Sequence, residues 1–250
     1  MMVPAARSSD MELMSCIMVT RNRPQFFRQA LRCFARQTHA NAELIVVDDG
    51  EEPVRALCDG LERVRYIHTG RAVSTGAKLN IGIESARGDL LQKLDDDDYY
   101  HPEFLEISAR HMARSGRDEC LAAWDCFLML VAGDRALRYS GHGWTIGNTL
   151  CFTRKFWARA PFRDLARGSD SHFLRDRTGV LVRVCAPEHC IVVRHGRNTW
   201  SDMRNGGSVD DYFRKFPVHG RPLSAVVPRE DLAFYEAISA GVESDTTTML

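Results

Sequence analysis

The sequence predicts an α/β protein: a mostly parallel sheet with helices on both faces, joined to a smaller region of mixed β structure. Three observations predict it. Apolar runs of strand length alternate with helix-period segments from residue 13 to about 115. Two of those runs stop in carboxylates, at Asp48-Asp49-Gly50 and at Asp95-Asp96-Asp97-Asp98. From 120 to 154 the pattern changes, and short β-like runs follow one another with turn residues between them.

The elements follow in order. Leu13 to Val19 is a strand, broken by Thr20-Arg21-Asn22-Arg23-Pro24. Pro24 suits a first helical position behind a polar cap at Asn22 or Arg23, and Phe26, Phe27, Ala30, Leu31 and Phe34 then recur at helical spacing to about Gln37. Glu43 to Val47 is the second strand. A short helix over 52–61 and a strand over Val64 to His68 follow. Residues 74–86 read as a helix closed by Gly88. Asp89 to Leu94 is a third buried strand, and Pro102 starts a helix to about Arg114. Leu121 to Val131 and Ala136 to Tyr139, split by Gly133-Asp134, read as a hairpin, and Asn148 to Thr153 as a strand. A helix over Ser169–Arg177, strands near 180–185 and 190–194, and a helix near Arg229–Ala240 complete the reading. The organisation is thus a disordered lead (1–12), an α/β half (13–115), a second half of the same domain (116–204) and a polar tail with one helix (205–250).

Bulk properties narrow the function classes. A chain of 250 residues can bury a core without disulfides or metals. Lys+Arg and Asp+Glu are both 33, so no global field favours nucleic acid or an anionic membrane. No apolar run approaches the ~20 residues of a membrane span, and the start lacks the apolar core of a signal peptide. The eight cysteines form no C-x-x-C pair, which argues against a zinc ribbon or redox dithiol and for reduced, buried thiols in a cytoplasmic protein. Neither G-x-G-x-x-G after the first strand, nor a P-loop, nor a G-x-S-x-G elbow occurs.

The aspartate run carries the chemistry. Adjacent carboxylates raise one another's pKa unless a cation compensates, and hard divalent Mg or Mn takes carboxylate oxygen. In an extended segment Asp95 and Asp97 point one way and Asp96 and Asp98 the other. A solvated acidic turn is the plain alternative. A calcium loop is excluded, because Tyr100 stands where its glycine belongs and Pro102 interrupts it. The second acidic stop, at Asp48-Asp49, favours a site: ligands of open α/β sheets bind beyond the carboxyl ends of the strands.

Four segments in order carry a family resemblance: Cys16-Ile17-Met18-Val19-Thr20-Arg21-Asn22-Arg23; Leu44-Ile45-Val46-Val47-Asp48-Asp49-Gly50; Lys78-Leu79-Asn80-Ile81-Gly82-Ile83 with Ala86-Arg87-Gly88-Asp89; and Leu94-Asp95-Asp96-Asp97-Asp98-Tyr99-Tyr100-His101-Pro102. The chain resembles a family 2 glycosyltransferase. A looser match runs through Gly147-Asn148, Gly168-Ser169-Asp170 and Arg194-His195-Gly196-Arg197-Asn198-Thr199. The resemblance implies a GT-A type fold with a Rossmann-like sheet. It implies an inverting, metal-dependent transfer from a nucleotide diphosphate sugar, a UDP-sugar first, to an unidentified acceptor. The 13–115 half would bind the donor and the 116–204 half the acceptor. Thr20, Arg21 and Arg23 would flank the nucleotide, Asp49 would bond the nucleobase, Lys78 would approach the donor, and Asp95 and Asp96 would lie on the donor side. Asp97 and His195 would serve a Mn or Mg ion, and Asp170 would be the catalytic base. Ser169 departs from the acidic residue many members carry there. Arg194 and Arg197 are phosphate contacts or a solvated loop, and Trp144 stacks on a sugar or fills the core. The rival readings are a nucleotidyltransferase, which the glycine-free Thr20–Pro24 turn disfavours, and a non-catalytic sugar-nucleotide-binding protein.

Overall fold

The computed structural model describes residues 12–175, 181–203 and 206–241. The expected lead, apart from Glu12, lies outside the described residues, as do the last residues of the helix expected to reach Arg177.

Four parallel strands form the centre: β1 (Met14–Thr20), β2 (Ala42–Asp48), β3 (Val64–His68) and β4 (Leu90–Asp95). β1 lies between β2 and β4, with Cys16 opposite Leu44 and Gln92. The near-continuous apolar character of these runs follows from burial on both faces. Met14, Cys16, Met18, Leu44, Val46, Leu90 and Leu94 belong to one hydrophobic cluster. It also holds the apolar side chains of α1 (Pro24–Ala35), α4 (Phe104–Ser115) and α8 (Arg229–Ser239). Ile17, Ile45, Val47 and Leu91 alternate onto the other face, against α3 (Thr75–Ser85), α5 (Arg154–Arg159) and α6 (Ser169–Arg175).

Among the described residues the large sheet continues through β9 (Cys151–Thr153), β6 (Leu121–Trp124) and β10 (Leu181–Val184), in the order β10-β6-β9-β4-β1-β2-β3. β9 is antiparallel to both neighbours. A smaller mixed sheet has the order β5-β11-β7-β8, from β5 (Tyr99–Tyr100), β11 (Cys190–Arg194), β7 (Leu128–Val131) and β8 (Leu137–Tyr139). Its outer face packs on α7 (Val209–Phe213) through Phe127, Met129, Val131, Val209 and Phe213.

Several elements differ from the sequence expectation. The apolar run Leu121–Val131 is two strands in two sheets, parted at Asp125-Cys126-Phe127, and only β7 and β8 form the hairpin. The helix expected over 52–61 shrinks to α2 (Arg55–Cys58), because side chains claim the amides before it: Asn22 accepts from Glu51 and Glu52, and Asp48 from Val54. Gly88 does not close α3, which ends at an extended Ala86. A Cβ at Gly88 would stand 2.3 Å from the carbonyl oxygen of Leu13, so this glycine permits a close backbone approach. The strand expected from Asn148 begins as a 3-10 turn over Gly147–Thr149. α5 and α7 were not foreseen.

β1, β2 and β4 end side by side, with Thr20 opposite Asp48 and Val19 opposite Asp95. The chain steps outward from β1 to β3 and returns on the other side of β1 as β4. That reversal opens a crevice at the carboxyl ends of β1 and β4, where ligands of such sheets bind.

Candidate active site

The aspartate run fans out at this crevice, because β4 ends at Asp95 and the chain bends through the next three residues. Asp95 is ion-paired with Lys93, and its amide donates to the Tyr100 hydroxyl at 2.8 Å. Asp96 is buried and accepts from the Thr20 hydroxyl at 2.6 Å and from Arg23. Asp97 Oδ2 accepts from Arg23 at 2.6 Å and from Asn198 at 3.2 Å, and His195 Nε2 lies 3.1 Å from it. Asp98 turns inward and accepts from the Asn148 amide at 2.6 Å and the Val193 backbone N–H at 2.8 Å. The predicted alternation therefore survives only in part: Arg23 bridges Asp96 and Asp97, which were expected on opposite sides.

These environments separate the four acids. Burial drives Asp98 well above the usual carboxylate range, which its two donors only partly offset. Burial also pushes Asp96 up, to about 7, against the pull of Arg23. Asp97 feels the same burial, but Arg23 and His195 outweigh it and hold the carboxyl at about 2. Burial would lower Lys93, yet Asp95 and Asp170 outweigh it and keep the ammonium charged. The ionised form is thus favoured at Asp97, with cations beside it.

Asp49 lies at the end of β2. Its Oδ1 accepts from Lys78 Nζ at 2.5 Å and its Oδ2 from the Val73 amide at 3.0 Å, and Arg21 approaches to 3.8 Å. Lys78 also donates to the Thr20 carbonyl at 3.2 Å, so α3 is pinned to the ends of β1 and β2. Beside Asp49 opens a cleft of about 230 Å³, lined by Arg21, Gly50, His68, Gly70 and Arg71 among others.

Asp170 opens α6 on the other side of the crevice. Its Oδ1 accepts from the Ser171 amide at 2.7 Å, and its charge raises Lys93 and Asp95. Its carboxylate lies over the Cα of Gly147, where a Cβ would come within 1.7 Å of Oδ2. His195 stacks on Phe26 with ring centroids 3.9 Å apart. Arg194 is buried and paired with Asp210 at 2.7 Å, and Arg197 donates to the Asn22 carbonyl at 3.1 Å. Trp144 stacks on Phe216 and meets Phe127 and Phe213, inside the cluster beneath α7.

Asp95, Asp97 and Asp98 each offer a carboxylate oxygen within 4.8 Å of the others. Both oxygens of Asp98 are already taken by Asn148 and Val193. Among the described residues, Oδ1 of Asp97 and Oδ2 of Asp95 have no hydrogen-bond partner. Carboxylate oxygens left without a protein partner fit a hard divalent cation. His195 Nε2 is directed at Asp97, so it would have to turn to ligate an ion itself.

The structure brings Thr20, Arg23, Asp96, Asp97 and His195 into one contact network, with a carboxylate oxygen of Asp95 within 4.8 Å of one of Asp97; it brings Asp49, Lys78 and Arg21 into a second, and Asp170 against Gly147. Lys93 was not singled out from the sequence, and Asn148 and Asn198 stood there only within the looser matching segments, with no role of their own. Only Lys93 carries a local signal, a charged residue inside the apolar strand Leu90–Leu94.

Comparison with known proteins identifies the family and the fold. The profile described as "Glycosyl transferase family 2" matches residues 15–162, more than half of the chain. An uncharacterised glycosyltransferase of Haemophilus influenzae is 32% identical over 111 residues, 42% of this chain and 44% of its own length. One from Methanocaldococcus jannaschii is 27% identical over 126 residues, 48% of this chain and 43% of its own. The chain thus covers less than half of these relatives. Among solved structures, S. aureus TarS 1–349 in complex with UDP-GlcNAc superposes with a TM-score of 0.62 at 15% identity, covering 76% of this chain and 61% of that one. The fold is shared with TarS and is of the GT-A type. No helix among the described residues is long and apolar enough to cross a membrane. The ordered strand ends, the carboxylates they carry and the profile match agree: the chain belongs to glycosyl transferase family 2.

Proposed function

We propose that the protein transfers a sugar from a nucleotide diphosphate sugar, a UDP-sugar first, to an acceptor nucleophile by direct displacement with inversion. One observation carries this reading. Asp97, held ionised, and Asp170, on a separate segment, face one crevice at the ends of β1 and β4.

Arg21 and Asp49 border the cleft that takes the nucleobase, with Lys78 fixing the Asp49 carboxylate. Thr20 and Arg23 hold Asp96 and orient Asp97. Asp97, with Asp95 beside it, supplies carboxylate oxygen to a Mg or Mn ion. When bound, the ion neutralises charge that develops on the departing diphosphate. His195 and Asn198 hold Asp97 in its rotamer, and His195 is placed to reach the diphosphate by leaving that contact. Lys93 keeps its charge beneath Asp95 and Asp170, a fixed cation next to both acids. Asp170 accepts the acceptor's proton as the new glycosidic bond forms and the bond to the diphosphate breaks. With base and metal side on opposite walls, inversion follows without a covalent enzyme intermediate. The unbridged cysteines support a reducing, cytoplasmic setting.

Titration with UDP-, GDP- and dTDP-sugars plus Mn tests the reading. The correct donor at a hundredfold excess over its Kd should stabilise the fold by about 2.7 kcal/mol, several degrees in Tm. Asp97→Ala or EDTA should remove that shift, and turnover should release a nucleoside diphosphate. Equal, negligible shifts with every donor, or release of pyrophosphate from a triphosphate, would overturn it.

A further inference from the structure

A second set of metal-ligating side chains lies at the junction of the two sheets. Asp125 and Cys126 occupy the break where the chain leaves β6 for β7. β10 runs parallel to β6 with Val184 opposite Trp124, so the next residue, Cys185, arrives beside Asp125. His142 follows β8 in the small sheet. Three segments distant in sequence therefore present a carboxylate oxygen, two sulfurs and an imidazole nitrogen, all within 4.8 Å of one another.

The spacing is specific. Cys126 Sγ and Cys185 Sγ are 3.5 Å apart, Cys185 Sγ and His142 Nδ1 3.9 Å, and His142 Nδ1 and Asp125 Oδ1 3.8 Å. Tetrahedral zinc with bonds of ~2.0–2.3 Å separates its ligand atoms by roughly 3.3–3.8 Å. Two independent observations point to a ligand. Asp125 Oδ1 is a buried oxygen with no hydrogen-bond partner. The other ring nitrogen of His142, Nε2, meets the Tyr139 hydroxyl at 3.2 Å, the outer contact that fixes a ligating imidazole.

We propose that Asp125, Cys126, His142 and Cys185 bind a structural zinc ion that staples the large sheet to the small one. All four tetrahedral positions are filled by protein, which marks a closed site. Thiolate and imidazole donors select zinc over the Mg or Mn suited to Asp97. Binding expels the two thiol protons to solvent as two Zn–S bonds form. The site is independent of the transferase reading, because none of its residues takes part there.

Elemental analysis of the full chain, purified reduced and without chelator, tests this. Wild type and Asp97→Asn should each carry about one zinc per chain that survives dialysis, and Cys126→Ser and Cys185→Ser at least tenfold less. If the cysteine variants do not fold, His142→Ala substitutes for them, since that side chain is 64% exposed and its truncation should cost the metal and not the fold. Cobalt chloride added to apo wild type should give tetrahedral visible bands and a thiolate charge-transfer band, both absent in His142→Ala. Zinc content that is negligible in wild type after zinc chloride is supplied would overturn the proposal. So would content unchanged in the Cys126, Cys185 and His142 variants, or a Cys126–Cys185 disulfide in the reduced preparation.

Discussion

Gly147 decides where Asp170 can stand. A methyl group at residue 147 would occupy the space of the Asp170 carboxylate, so Gly147→Ala forces that acid away from the crevice. Displacing a reacting group by about 1 Å can cost roughly 100-fold in rate. Gly147→Ala should therefore lower kcat on that order while donor affinity, read by calorimetry, stays within about twofold. Asp170→Asn should lower kcat by about 10²–10⁴ with the same unchanged affinity. A near-wild-type rate in Asp170→Asn would place the base elsewhere. At this scale the sequence was most informative where a residue's role is set by its own strand end, as for Asp49, Asp95 and Asp97. It placed Asn198 and Asn148 in matching segments but gave them no role, because their partners lie about 100 and 50 residues away. Gly147 likewise stood in a matching segment without its partner, Asp170.

The parallel core is fastened at its opposite end by one carboxylate. Glu43 of β2 accepts from the Ser15 hydroxyl of β1 at 2.7 Å, and from the Arg87 amide and guanidinium before β4 at 2.7 and 2.8 Å. Burial would raise Glu43, but these donors outweigh it and lower the folded value below 4.5. A depressed folded value contributes stability above pH 4.5, and that contribution is lost as the pH falls through the lower, folded value. Wild type should thus lose Tm more steeply than Glu43→Gln as the pH drops from 5 to 3, and exceed it by about 1–2 kcal/mol at pH 7. Parallel pH profiles for the two proteins would refute the fastening. Elements with clean periodicity, such as α1 and β1–β4, were legible in the sequence. The run from Leu121 to Val131 was not, because an uninterrupted apolar stretch does not report that its halves enter different sheets. The short helix α2 was over-read because its amides are claimed by Asn22 and Asp48 across the fold.

For the whole molecule, the C-terminal segment is part of the core. Arg36 of the α1 C-cap pairs with buried Asp231 of α8. Tyr235 is fully buried edge-on to Tyr99 of the small sheet, and Phe234 meets Phe26 edge-on. Polar composition concealed this, since two of the four residues that α8 buries, Asp231 and Ser239, are themselves polar. Tyr235→Ala should cost about 3–5 kcal/mol by urea denaturation, whereas Tyr235→Phe should stay within about 1 kcal/mol. A mild Tyr235→Ala would mean that α8 is an appendage.

Phe26 has a second neighbour on its face, His195, and Arg23, at the same end of α1, grips Asp96 and Asp97. One helix terminus therefore carries both the cation that fixes the acids and the ring on which the histidine rests. Should that terminus rotate, grip and rest would be lost together rather than in turn. Among the described residues the last helix, α8, leans on Phe26 through Phe234 and on Arg36 through Asp231, so a disturbance of α8 would reach the grip on the acids through α1.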